Sequence, residues 1–249
     1  MLPPPGTAQI FIAHPERLLA AAPGHAAWLS AEERARAGRY RRPADRAGYL
    51  ATRVLVRGIL AGVLGRSPDA LRFEEGPHGK PSLRPSAEGL AFSASRTPAW
   101  VALAVTRGTA CGIDVEGVHR PVDVEAIARR FAPAERTLLE RSDPAERRRV
   151  FFRLWTLKEA CLKANGRGLA AGLDACSFSL PAAAPPRASF AASLGENPER
   201  WSFFLLEPDS DHLLALALGT SAAPPPEVSG EAETCRRVEG IVGGQRPVR

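Results

Sequence analysis

The apolar positions of this chain fall into two rounds of a similar order, helices followed by strands, with one strand ahead of the first. AQIFIA (8–13) is an apolar run of strand length. In WLSAEERARAGRY, Ser30 and Glu33 stand at capping-box spacing and predict the start of a helix. Beyond Pro43, ADRAGYLATRVLVRGILAGVLG places Tyr49, Leu50, Val54, Ile59 and Leu60 at helical spacing, and a proline suits a first helical turn. LRFEE, AFSAS, WVALAV and CGIDVE then read as short strands between turn-rich stretches.

The second round opens with two predicted helices, FAPAERTLLER and RRVFFRLWTLKEACLKANG, the latter stopped by Gly166 and Gly168. ACSFSL, ASFAASL, WSFFLLE and HLLALAL follow as expected strands. YRRPADR (40–46) and RFAPAER (130–136) are faintly alike, which chance explains as well as duplication in a chain rich in Ala, Arg and Pro. From about Ser221 the chain is rich in Pro, Gly and charge without periodicity, and residues 221–249 are expected to form a disordered tail.

Composition narrows the classes. At 249 residues the chain can be one large domain or two small ones, each able to bury a core. The net charge of +6 admits polyanionic partners: nucleic acid, a phosphorylated cofactor or an acidic protein. The four cysteines show no C-x-x-C spacing, and three lie in apolar surroundings as expected of buried reduced thiols. The N-terminus lacks a charged-then-apolar signal pattern, and no uninterrupted apolar run approaches a membrane span. A cytoplasmic enzyme or binding protein is the expectation.

Candidate chemistry gathers in four places. In GIDVE (112–116), strand alternation puts Asp114 and Glu116 on one face, with Cα atoms roughly 7 Å apart. Paired carboxylates repel unless a cation sits between them, and Mg²⁺ favours such oxygen sites; two solvated acids are the plain alternative. In LWTLKEACLKANGRGL (154–169), Glu159 and Lys163 are i, i+4 on one helix face, a spacing that more often marks a surface pair worth a few tenths of a kcal/mol. Only three of the 33 basic residues are lysines, however, and Lys158 and Lys163 both fall here, with Lys80 in HGKPSL. Lysine is a compact charge able to approach a phosphate, and its pKa can move. FSASR (92–96) ends a strand in Ser93, Ser95 and Arg96, all able to donate to phosphate. Together these segments suit Mg²⁺ and a phosphorylated ligand.

In order and spacing, GIDVE followed by Trp155-Thr156-Leu157-Lys158-Glu159-Ala160, Lys163 and a G-x-G-L ending resembles the Sfp-type 4′-phosphopantetheinyl transferases. The upstream G-K-P with Lys80, the F-x-x-S strand from Phe92 to Ser95, and RRFAPAE with Glu135 also match, so the likeness covers roughly residues 8–220. It implies an α+β fold of two similar subdomains about a pseudo-twofold axis, residues 1–108 and 109–220, with coenzyme A between them and the metal and catalytic motifs in the second. It implies Mg²⁺-dependent transfer of phosphopantetheine from coenzyme A to a serine of an acyl or peptidyl carrier protein, releasing 3′,5′-ADP. By the same likeness Asp114, Glu116 and Glu159 would hold Mg²⁺, Glu159 would take the serine proton, and Lys163 and Lys158 would face phosphate. Lys80, Ser95, Arg96 and Arg46 would bind the coenzyme. Acidic carriers would be steered by the basic surplus, and the duplicated chain would act as a monomer, with no nucleic acid or membrane partner.

Two departures stand out. Relatives carry a histidine where this chain has Arg96, and an arginine where it has Gly48; Arg46, Arg42 or Arg53 would then supply the missing contact. Rival readings are a degenerate coenzyme A or nucleotide binder, a basic nucleic-acid-binding protein, and a Mg²⁺ phosphohydrolase.

Overall fold

Strand β1 (Ala8–Ala13) forms where AQIFIA predicts it. Three helices follow, α1 (Pro15–Ala20), α2 (Ala31–Gly38) and α3 (Pro43–Leu64), then β2 (Arg72–Glu75), β3 (Pro81–Arg84), β4 (Leu90–Arg96) and β5 (Val101–Arg107). After a turn the same series recurs: β6 (Cys111–Gly117), α4 (Val124–Ala128), α5 (Pro133–Arg141), α6 (Pro144–Asn165), β7 (Cys176–Ser179), β8 (Arg187–Phe190), β9 (Ser202–Asp209) and β10 (His212–Leu218). This computed structural model describes residues 3–76, 78–86, 89–168, 172–219 and 226–242.

The two halves share one topology. β5 lies antiparallel between β1 and β4, and β10 lies antiparallel between β6 and β9. In each half a 22-residue helix begins with proline in its first turn and ends at a left-handed glycine, Gly65 (φ 62°) or Gly166 (φ 71°). Helix α3 packs Val54, Leu55 and Ile59 against Leu103 and Val105; α6 packs Leu154, Leu157 and Cys161 against Leu213, Ala215 and Ala217. The opposite sheet faces meet in a third cluster, with Ile10, Ala102 and Ala104 against Ile113, Val115 and Leu216. The order of layers is helix, sheet, sheet, helix. The duplication is therefore real, but its register differs from the faint sequence match. Pro43-Ala44-Asp45-Arg46 corresponds to Pro144-Ala145-Glu146-Arg147 at the start of α6, whereas Pro133 begins the shorter α5.

The expected disordered tail needs correction. Residues Glu227–Ser229 form β11, which pairs parallel with β1, and Glu231–Val242 form α7, packed on α1, α3 and β1. Val238 is fully buried in the first core, and Glu231 accepts from the His14 N–H and Arg17. The helix docks because Gly58 presents no side chain: a Cβ there would lie 3.2 Å from Trp28 and 3.4 Å from Val238. Residues 221–225 and 243–249 lie outside the described residues. ASFAASL is likewise split, β8 ending at Phe190 before a short 3₁₀ turn over Ala192–Leu194. By length and composition α3 could cross a membrane, yet most of it is buried against the first core, which accounts for its apolarity.

Candidate active site

The site begins with a glycine. On β6, Gly112 lies so close to α6 that a Cβ would stand 2.0 Å from the Ala160 carbonyl oxygen and 2.5 Å from the Ala164 nitrogen. Only a residue without a side chain permits this approach. Strand alternation then turns Asp114 and Glu116 toward the helix side, away from Ile113 and Val115 in the inter-sheet core. From α6, Lys163 reaches down and places Nζ 2.7 Å from Asp114 Oδ1, 3.1 Å from Ser95 Oγ and 3.2 Å from the Ile113 carbonyl oxygen. Ser95 Oγ donates to the same Asp114 oxygen at 2.8 Å. Three elements, β4, β6 and α6, thus meet on one carboxylate.

The other carboxylate oxygens are less satisfied. Asp114 Oδ2 is buried without a partner, a costly state for a charged acceptor. Glu116 Oε1 accepts from Arg120 at 2.5 Å and from the Trp155 indole at 2.9 Å. Burial, reinforced by the Asp114 charge, raises the Glu116 carboxyl above its ordinary range. The Glu159 carboxylate makes no hydrogen bond among the described residues. Burial, the Asp114 charge and the Glu116 charge push its pKa up to about 7 against the pull of Lys163. Three acids thus crowd one space beside two cations, Lys163 and Arg120. Among the described residues no three ligating side chains converge on one point as a formed metal site. The orphaned Asp114 oxygen, with Glu116 and Glu159 beside it, nonetheless fits the all-oxygen preference of Mg²⁺.

Two cavities flank this centre and share Ser95 and Arg96 as a common wall. The smaller, about 300 Å³, is lined by Arg53, His78, Lys80, Arg96 and Lys163, with no acid on its wall. The larger, about 670 Å³, holds Asp114, Glu116, His119, Arg120 and His212 among Pro98, Ala99, Val115 and Pro121.

Comparison with known proteins places this arrangement. A model described as the 4′-phosphopantetheinyl transferase superfamily matches residues 110–217, and one described as the N-terminal part of 4′-phosphopantetheinyl transferase matches residues 21–108. The 4′-phosphopantetheinyl transferase HetI of Nostoc sp. is 36% identical over 78% of this chain and 79% of its own. The chain belongs to the 4′-phosphopantetheinyl transferase family. A putative member from Synechocystis sp. is 36% identical over 70% of both chains, and Sfp of Bacillus subtilis 30% identical over 61% of this chain and 67% of its own. The holo-[acyl-carrier-protein] synthase of Thermotoga maritima overlays 45% of this chain and 63% of its own at a TM-score of 0.36 and 23% identity.

In this transferase Asp114, Glu116, Glu159, Lys163 and Ser95 come together, and Lys80 and Arg96 join them at the smaller cavity. Lys80 is not displayed from its loop as the turn formers around it suggest. Its ammonium donates to the Cys111 carbonyl at 2.9 Å and the Ala164 carbonyl at 3.3 Å, near the C-terminus of α6, and burial lowers its pKa.

Lys158 is a clear correction. It is turned away from the site, almost wholly buried, and paired with Glu135 Oε2 at 2.7 Å. Its remaining donors go to the carbonyls of Leu173 and Cys176. The helix explains why: Lys158 precedes Glu159 by one residue, so about 100° of rotation separates them. The duplicated register shows what it is. Arg57, at the corresponding step of α3, is buried in the same way, paired with Glu33 at 2.8 Å and donating to the carbonyls of Pro68 and Leu71.

The two departures from the family pattern touch each other. A Cβ at Gly48 would meet Arg96 Cδ at 3.3 Å, so the glycine makes room for the Arg96 side chain. The Arg96 guanidinium lies over the Tyr40 and Tyr49 rings and donates to the Tyr40 hydroxyl at 3.0 Å. Arg46 is exposed on α3 and lines neither cavity, whereas Arg53 lines the smaller one. Leu169, the last residue of the G-x-G-L ending, lies outside the described residues. His78, Arg120 and His212 are site residues that the pattern alone does not single out, because lone histidines and arginines carry little signal in an arginine-rich chain.

Proposed function

We propose that the enzyme moves the 4′-phosphopantetheine group of coenzyme A onto a serine hydroxyl of an acyl or peptidyl carrier protein, releasing 3′,5′-ADP. The observation that carries this reading is Lys163 Nζ lying 2.7 Å from Asp114 Oδ1, which joins the α6 motif to the β6 carboxylates between a cationic cavity and one of mixed charge. Membership of the family supports it, as does HetI's name.

Asp114, through its unpartnered Oδ2, with Glu116 and Glu159, would hold Mg²⁺, which when bound neutralises charge on the coenzyme pyrophosphate. The chain's own groups do the rest. Lys80, Arg53 and Arg96 bind the phosphates in the smaller cavity. Lys163 orients Asp114 and presents its ammonium to the charge that develops on the departing phosphate. Glu159, without a hydrogen bond among the described residues, accepts the proton of the attacking serine directly or through a water. Ser95 donates to the same Asp114 oxygen and helps to hold it.

The net charge of +6 supports an acidic carrier as partner. Both halves of the site come from one duplicated chain, which supports action as a monomer. Cys161 and Cys176, with sulfurs 3.3 Å apart and unbonded, support a reducing, cytoplasmic setting.

The test is direct. Incubation with coenzyme A, Mg²⁺ and apo carrier proteins from fatty-acid, polyketide and peptide pathways should add phosphopantetheine to at least one carrier, read by intact-protein mass spectrometry. Glu159→Gln should abolish the adduct with the fold retained. Absence of adduct on every carrier overturns the reading, and release of phosphopantetheine without a carrier makes the protein a hydrolase instead.

A further inference from the structure

The larger cavity contains a histidine that the phosphate chemistry does not use. His212 opens β10, opposite Gly117 on β6, and its Nδ1 lies 2.8 and 3.0 Å from the two oxygens of Asp209. Asp209 is held in turn by the Trp100 indole N–H at 2.7 Å. An ionised carboxylate only accepts, so Nδ1 carries a proton and the ring is fixed in orientation. The outer nitrogen, Nε2, lies beside Gly117, 3.4 Å from where a Cβ would stand, and the His212 ring lines the larger cavity. His119 lines the same cavity but is exposed and lies only 3.5 Å from Asp211, so it lacks comparable restraint.

The two cavities differ as the two ends of coenzyme A differ. The smaller offers cations and no acid, which suits nucleotide phosphates. The larger places Pro98, Ala99 and Pro121 between charged groups of both signs, Arg96 and Arg120 with Asp114, Glu116 and Asp211, and those apolar residues suit the aliphatic stretch of a chain whose amides and hydroxyl meet polar groups. They meet at Ser95 and Arg96, beside Asp114, where a pyrophosphate would lie between the two ends.

We propose that His212, oriented by Asp209, anchors the pantetheine arm of the donor in the larger cavity by accepting at its Nε2 a hydrogen bond from an amide N–H or hydroxyl of the arm. The proposal rests on the coenzyme A reading above. It gives His212 a role in recognising the arm and none in recognising the nucleotide, and that separation makes it testable.

Isothermal titration of coenzyme A and of 3′,5′-ADP, which lacks the arm, is made on the wild type, His212→Ala and His212→Gln. His212→Ala should weaken coenzyme A about tenfold, the loss of one good hydrogen bond, and leave 3′,5′-ADP unchanged. His212→Gln, whose amide reaches a similar position, should recover most of the loss. Equal weakening of both ligands would make His212 merely structural and overturn the proposal, as would unchanged coenzyme A affinity in His212→Ala. A wild type that binds neither ligand overturns the reading of the site itself, and this inference falls with it.

Discussion

Lys158 Nζ lies 2.7 Å from Glu135 Oε2, and neither side chain has more than one per cent of its surface in solvent. Burial raises the Glu135 carboxyl, and the Lys158 charge works against that shift. The pair fastens α6 to α5, while the carbonyls of Leu173 and Cys176 take up the other ammonium protons. Removing one partner leaves a buried charge uncompensated, a loss of about 3–5 kcal/mol. Lys158→Met should therefore lower the unfolding free energy by that order in urea titration, while turnover per folded molecule stays near that of the wild type. A variant of full stability and lost turnover would return Lys158 to the phosphate. Arg57→Met should behave alike, since Glu33 is its counterpart of Glu135.

Gly112 should tolerate no side chain. An alanine methyl would lie 2.0 Å from the Ala160 carbonyl oxygen, a backbone atom of α6 that cannot rotate aside. The helix must shift, and the link from Lys163 to Asp114 shifts with it. Overpacking of this kind costs about 1–3 kcal/mol or more. Gly112→Ala should lose activity out of proportion to stability, seen by comparing kcat with the denaturation midpoint. Retained kcat would show that the site adjusts to a displaced α6.

The elements rich in apolar period were legible in the chain: β1, α3 and α6 lie where their patterns place them, and the spacing of GIDVE and KEACLK identifies the residues that meet. What escaped has definite causes. Helix α7 buries a narrow face, Thr234 and Val238, which charged neighbours hide from any composition measure, and its dock depends on the distant Gly58. Lys158 looked like a site residue because it adjoins Glu159 in sequence. Which side of α6 faces the metal-ligand candidates is fixed by Gly112 across the β6 interface, a tertiary fact. The duplication was hidden because, beyond the similar starts Pro43–Arg46 and Pro144–Arg147, the two long helices diverge where function entered: Gly58 and Gly62 of α3 stand at the steps of Glu159 and Lys163 in α6.

Lys163 tests whether the choice of lysine has meaning. Its ammonium donates to Asp114, Ser95 and the Ile113 carbonyl, three acceptors disposed around a single nitrogen. A guanidinium is planar and larger, and cannot direct three donors to one convergent set of acceptors. Lys163→Arg should lower kcat roughly ten- to hundredfold, or about 1.4–2.7 kcal/mol in the barrier, with little change in thermal midpoint. Unimpaired turnover would reduce the lysine to an accident of composition.

The Trp100–Asp209–His212 chain makes a pH prediction that is independent of substrate. Burial disfavours the Asp209 charge, but hydrogen bonds from the Trp100 indole and His212 outweigh it and hold the pKa at about 2. An aspartate in the unfolded chain titrates near ~3.9. Because the folded value is the lower one, the unfolded state binds the proton first as pH falls. The stabilisation is therefore complete above about pH 4 and disappears by about pH 2. Asp209→Asn removes the titrating group and keeps the side-chain shape. Urea unfolding of the two proteins should show a constant stability gap from pH 7 to pH 5, closing progressively between pH 4 and pH 2. A gap that persists unchanged through that range would mean that Asp209 supports the hairpin by shape alone, and that its charge does not hold His212.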